Sequence, residues 1–258
     1  MIPFRAQLRS AYLSTAGRLK SPSSSIHILN GHVIGMKAGD NRQKFRNLLR
    51  ELKRTCDFVR IEDACTMIAQ GTAVQRPALA FTFDDGYEEC FTDIAPVLEE
   101  FGVNAAFFIN PHFTMGDQRY ITDFLAVKVP EMPKRQPMSA AMVAALARRG
   151  FVIGAHTLDH ERLVSTNAEF LQTQVVDCRA AVERLSGTQC DYFAWTYGQY
   201  SDISDEALAL AKETYRWIFS SDKYANYTCD AVLNRRHFEC DWPASHVRYF
   251  LAPARQFV

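Results

Sequence analysis

The 258-residue sequence has no excess of either charge: 29 Lys and Arg offset 29 Asp and Glu, for a formal net charge of zero. So balanced a chain has no bulk electrostatic footprint for nucleic acid, and no nucleic-acid partner is expected. Paired cysteine motifs are missing too. The seven cysteines, at 56, 65, 90, 178, 190, 229 and 240, form no Cys-x-x-Cys pair and no even framework. Their spacing fits thiols in a reducing compartment better than a disulfide scaffold. No apolar run reaches the roughly 18 residues that cross a bilayer, and Met1-Ile-Pro-Phe-Arg lacks a signal peptide's apolar stretch. Internal repeats are absent. These gaps together lead us to expect a cytoplasmic protein, at most peripheral to the inner membrane.

What is present is a core-forming composition, 48% hydrophobic, in a length that suits one large domain. Residues 1–25 form a basic segment carrying Arg5, Arg9, Arg18 and Lys20, with no acid before Asp40. As a helix it would set Phe4, Leu8, Tyr12 and Leu19 in one stripe. That stripe reads either as a surface anchor facing anionic lipid or as a helix packed on the outside of the fold. Ser21-Pro-Ser-Ser-Ser25 follows as a linker. From residue 26 to 258, short apolar runs alternate with helical spacing. Strands are expected at 26–34, 57–60, 79–83, 105–110, 151–155, 191–195 and 217–221. Helices are expected around 45–52, 62–70, 91–101, 139–149, 169–186 and 204–214. Alternation at these lengths means βαβ units and a parallel sheet. Residues 111–138, with four prolines and little periodicity, read as a long loop, either a substrate wall or a simple surface excursion. Residues 248–258 match no element.

Two stretches carry chemistry. Leu79-Ala-Phe-Thr-Phe-Asp84-Asp85-Gly86 is an apolar run that stops at adjacent carboxylates and a turn-forming glycine. Taken alone, Asp-Asp-Gly is ordinary turn punctuation. Side by side at a strand end, however, two carboxylates repel, and a bound cation would separate them into a ligand and a free base. Phe151-Val-Ile-Gly-Ala155 repeats the pattern and ends at His156-Thr-Leu-Asp-His160. Histidines at i and i+4 share a face if the chain turns helically, close enough to hold one ion. Two histidines, one carboxylate and an open position make a catalytic metal site rather than a closed structural one. Asp84, Asp85, His156 and Tyr197 follow apolar runs, where parallel sheets and (β/α) barrels gather their ligands.

These two motifs resemble the first two of the polysaccharide deacetylase family, the NodB-type carbohydrate esterases. Leu29-Asn-Gly-His32 is similar to the family's opening Tyr-His stretch, Phe193-Ala-Trp-Thr-Tyr-Gly198 to its third motif, and Leu233-Asn-Arg-Arg236 to its last. The resemblance implies an α/β fold, an irregular (β/α) barrel of about seven parallel strands, and a metal-dependent hydrolase that removes an N-acetyl group from an amino sugar. The substrate would be a glycan or a lipid-linked or nucleotide-linked saccharide. Asp85, His156 and His160 would hold one divalent ion, zinc by default, with nickel, cobalt and iron left open. Asp84 would be the general base toward the metal-bound water, with Tyr197 and Trp195 on the oxyanion and substrate side. Tyr87 and Tyr200 could also stack on sugar rings.

Two departures from the family pattern stand out. Ala194 and Thr196 occupy places where the family has Arg and Pro, and Arg236 occupies the place of its last-motif His. Neighbours in a strand face opposite ways, so only one of Arg236 and His237 points at the site. The expectation is Arg236, steadying Asp84. The general acid then stays open between His32 and His237. Alternatives are a deformylase or amidase acting on another C–N bond, and a degenerate member that binds glycan without hydrolysis.

Overall fold

Among the described residues, ten short strands build one sheet: β1 (Ile26–Gly31), β2 (Asp57–Phe58), β3 (Ala78–Phe83), β4 (Ala105–Ile109), β5 (Val152–Ala155), β6 (Tyr192–Ala194), β7 (Trp217–Ser220), β8 (Thr228–Cys229), β9 (Val232–Asn234) and β10 (Arg236–His237). The computed structural model describes residues 4–36, 39–132, 134–222, 228–229 and 232–252. The hydrogen-bonded order is β10-β1-β3-β4-β5-β6-β7-β9, parallel throughout, with β8 antiparallel on β9 and β2 added to β3. The result is a nearly closed (β/α) barrel. Only Arg235 separates β9 from β10, so one bent strand leaves β7 and joins β1. Arg235 N–H donates to Ser220 O at 2.8 Å on one side of this seam, and Phe238 N–H donates to Asn30 O at 2.9 Å on the other.

Side chains of one strand parity, including Ile28, Ala80, Phe108, Ala194, Phe219 and Leu233, form a single buried cluster. Phe108 on β4 meets Phe219 on β7 at 5.2 Å between ring centroids, although these strands are not neighbours. This is therefore the barrel interior. The opposite parity, with Leu29, Phe81, Phe83 and Phe107, packs under the surrounding helices. Helix Asn41–Lys53, capped by Asp40, buries Phe45, Leu48, Leu49 and Leu52 at the expected helical spacing. Ser139 caps Ala140–Arg148 in the same way.

Several expectations need correction. The first strand ends at Gly31 rather than at residue 34. The expected helix over 169–186 holds a π-turn at its centre, Gln172–Asp177. Residues 111–138 are not a long loop: they fold as helices Pro111–Met115 and Gln118–Val127. Phe113, Ile121, Phe124, Leu125, Val129 and Met132 form a small core there with Val33 and Tyr87. Prolines obscured that helical signal, because Pro111 sits at a helix N-terminus, where its missing N–H costs nothing. Of residues 248–258, the first five complete helix Ala244–Leu251 and its cap, Ala252, and 253–258 lie outside the described residues.

Helix Phe4–Arg18 packs on Ala244–Leu251, with Ser14 Oγ 3.1 Å from His246 Nε2. Leu8, Tyr12 and Leu19 nevertheless face solvent, and the side chain of Phe4 lies outside the described residues.

Candidate metal centre and active site

The site lies where β1, β3, β5, β7 and the β9–β10 seam end together. Four non-glycine residues there have left-handed backbones: Asp85 at φ 69°, Thr157 at 60°, His160 at 56° and Tyr197 at 64°. Each such residue costs on the order of 1–3 kcal/mol, a strain that gathers at functional sites. Gly86, at φ 73°, completes the turn after Asp85, and a Cβ there would lie 2.8 Å from Ile109 Cγ2. The turn and this close approach together require glycine.

His156 and His160 are brought together by this backbone and not by the expected helical turn. The chain leaves β5 at Ala155, turns left-handed at Thr157 and again at His160, and sets the two rings 5.3 Å apart. The loop is held from three directions. Asn110 Nδ2 donates to Thr157 O at 3.0 Å and also to His156 O. Asp159 accepts from Tyr120 Oη at 2.7 Å, contacts His112 Nδ1 at 2.7 Å and accepts from Gln174 Nε2 at 3.0 Å. Gln174 belongs to the π-turn, a bulge that re-aims a side chain from within a helix.

Asp85 Oδ1 lies 3.5 Å from His156 Nε2 and 3.3 Å from His160 Nε2, and all three residues are buried. His156 Nδ1 donates to Ala194 O at 2.6 Å, which turns Nε2 toward Asp85. Backbone orientation of a ligating imidazole commonly takes this form. Among the described residues, the buried Asp85 Oδ1 has no hydrogen-bond partner. Burial pushes the Asp85 carboxyl up, but His156 and His160 more than reverse this and hold it well below the ordinary carboxylate range. His156 is held above its ordinary value: burial lowers it, and Asp84 and Asp85 outweigh that. Two imidazole nitrogens and one anionic oxygen within 4.8 Å of one another form a donor set that fits a divalent ion.

Asp84 has a different environment. Arg235 grips it fork to fork, Nη1 to Oδ1 at 2.7 Å and Nη2 to Oδ2 at 2.9 Å, and Asn30 Nδ2 donates to Oδ2 at 3.1 Å. Arg235 Nη1 also reaches Asn30 Oδ1 at 3.1 Å and Thr82 Oγ1 at 3.2 Å. Burial would raise the Asp84 carboxyl, but the Arg235 charge, with that of His156, brings it below its ordinary value. The expectation that Arg236 steadies Asp84 is therefore corrected. Arg236 faces out of the barrel, its guanidinium 4.0 Å over the Phe250 ring. Strand parity is the reason: Leu233 faces inward, so Arg235 and His237 do as well.

A cleft of about 470 Å³ opens above these groups, and Asp84, Asp85, His156 and His160 form its floor. His32 and His237 sit on its wall, 5.9 Å apart, and His237 Nε2 lies 2.9 Å from Glu239 Oε1. Lys128, Glu131 and Met132 of the two-helix insertion supply another part of the wall. Of the expected aromatics only Tyr197 lines the cleft, 41% exposed, its ring 5.0 Å from His160 and beneath Arg162 at 3.8 Å. Trp195, expected on the substrate side, is fully buried and donates Nε1–H to Gln199 O at 3.0 Å. It follows inward-facing Ala194 and so points under the outer helices. Tyr87 is buried against Phe113, and Tyr200 packs on Trp195.

Fold and site together define a NodB-like barrel with a two-histidine, one-carboxylate centre at the ends of its strands. A model of the polysaccharide deacetylase family matches residues 71–215, and the chain belongs to that family. Among curated proteins it is 27% identical over 161 residues to a peptidoglycan-N-acetylglucosamine deacetylase of Bacillus cereus, covering 60% of this chain and 50% of the relative. The chain spans about half the length of the curated relatives it matches. Among solved structures, IcaB of Ammonifex degensii aligns with a TM-score of 0.71 at 18% identity, over 88% of this chain and 98% of that one. The deacetylase PplD of Streptococcus pyogenes aligns with a TM-score of 0.71 at 16% identity, over 90% and 100%.

Proposed function

We propose that the protein is a metal-dependent hydrolase that releases acetate from an N-acetylated amino sugar in a glycan or a lipid-linked or nucleotide-linked saccharide. One observation carries this reading: a carboxylate fixed at two points by a buried guanidinium stands directly beside three residues that could hold a metal ion, on the floor of an open cleft. Asp85, His156 and His160 would hold the ion, zinc by default. When bound, the ion supplies Lewis acidity and brings the pKa of a water from roughly 16 to about 7.

The chain's own residues do the rest. Asp84 accepts the proton of the attacking water, and Arg235 keeps it ionised and aimed, as a base must be. His237, oriented by Glu239, donates a proton to the amine nitrogen as the C–N bond breaks, leaving acetate and the free amine. His32, on the same wall, is the other candidate for that proton. Tyr197 lines the cleft, where its backbone N–H would assist the oxyanion and its part-exposed ring would meet sugar. The six described cysteines, all buried free thiols, support a reducing compartment.

The test is acyl release from a panel of acetylated and formylated amino-sugar donors by zinc-loaded protein. The proposal expects acetate from at least one donor. Formate alone would make the protein a deformylase, and glycan binding with no acyl release would make it a non-catalytic member.

A further inference from the structure

The N-terminal helix buries the wrong side chains for a helix that merely covers the barrel. Its inner face presents Leu13 and Gly17, and a Cβ on Gly17 would lie 1.8 Å from the Ser245 carbonyl oxygen. Three other apolar side chains of this segment, Leu8, Tyr12 and Leu19, face outward. Leu8 is 55% exposed, Tyr12 61% and Leu19, just past the helix, 88%. Leu8 and Tyr12 lie one turn apart on this face.

Aromatic rings extend the stripe across the surface. Tyr12 meets Tyr249 at 5.7 Å, Tyr249 meets Phe250 at 5.4 Å, and Phe250 meets Trp242 at 5.6 Å. Trp242 in turn meets His237, on the cleft wall, at 5.6 Å. Cations accompany the row: Lys20 lies 4.1 Å over Tyr249, Arg236 lies 4.0 Å over Phe250, and Arg9 and Arg18 are exposed on the helix. No acid occurs before Asp40.

We propose that this face seats the protein on an anionic phospholipid bilayer, with Leu8, Tyr12 and Leu19 entering the boundary between headgroups and acyl chains. Half-exposed Tyr and Trp beside Lys and Arg are the side chains that settle at that depth. A second copy fits poorly. A two-fold contact would set Arg9 and Arg18 against the same cationic patch. Among the described residues no helix is long and apolar enough to cross the membrane. If the proposed activity holds, the row from Tyr12 to His237 would bring the cleft rim to the headgroups, where a lipid-linked saccharide is presented.

Co-sedimentation of the metal-loaded protein with vesicles tests the proposal, and its readout is independent of catalysis. Vesicles of phosphatidylcholine with about 30 mol% phosphatidylglycerol should bind the protein, pure phosphatidylcholine should not, and added salt should release it. Leu19→Asp should lower partitioning about tenfold, and Arg9→Glu with Arg18→Glu about 25-fold or more. Both should keep the parent melting temperature. Thr15→Asp, on the exposed side of the helix, replaces Leu19→Asp should that variant unfold. Binding that is absent, or equal on both vesicle types, overturns the proposal. Self-association without vesicles that the same substitutions abolish would give this face to a second copy instead.

Discussion

Arg235 and Asp84 lie 151 positions apart in the chain and meet as a two-point ion pair inside the barrel, at 2.7 and 2.9 Å. The pair spans the seam where β9 leaves β7 and β10 joins β1, so it links barrel closure to the aim of the proposed base. A buried guanidinium fork fixes a carboxylate's position as well as its charge.

Arg235→Lys keeps the charge and loses the fork. Turnover should fall about 100-fold, the cost of a base misplaced by roughly an ångström, with metal content unchanged. Arg235→Met leaves Asp84 buried and unpaired and should cost about 3–5 kcal/mol in denaturant unfolding. Arg236→Met should hold turnover within about twofold of wild type, since Arg236 stacks on Phe250 outside the barrel and away from Asp84. A larger loss in Arg236→Met than in Arg235→Lys would reverse the assignment.

The proposed acid makes a separable prediction. His237→Ala should lower kcat by about 100-fold or more, the usual contribution of a positioned proton donor. His32→Ala should have the smaller effect. Glu239→Gln should fall between, because it removes an orienting partner and spares the donor. Substrates with a better leaving group should narrow the His237→Ala deficit, and an undiminished deficit on such substrates would argue against proton donation.

Burial of His27 predicts a pH dependence of stability. The imidazole is fully buried at the start of β1, beside Ser23, and burial drives its pKa from 6.5 down to about 4. The depressed value means that the unfolded chain takes up a proton before the folded one does. Stability is therefore fully present above pH 6.5 and is lost as pH falls toward 4, by about 3 kcal/mol in all. His27→Leu should flatten the unfolding free energy over that interval. An unchanged slope would place the dependence elsewhere.

Strand ends were the legible part of the sequence. Asp84, Asp85 and His156 each follow an apolar run, and the structure sets all three on the cleft floor. Parity was not legible at the last motif, because three strand residues are too few to reveal period-two alternation. Arg235 was thus missed by one position, although an inward Leu233 carried the signal. Trp195 fails for the same reason. Asp159, Gln174 and Asn110 were invisible because they act on the backbone of the histidine loop through contacts between distant elements, and a π-turn leaves no clear pattern in sequence.

The central claim is that two adjacent acids divide the work, one holding the ion and the other serving as base. Elemental analysis of purified Asp84→Asn and Asp85→Asn proteins beside the wild type measures this most directly. About one divalent ion per chain is expected in the wild type and in Asp84→Asn, and little in Asp85→Asn, where a ligand oxygen is replaced. Equal metal content in the two variants would contradict it.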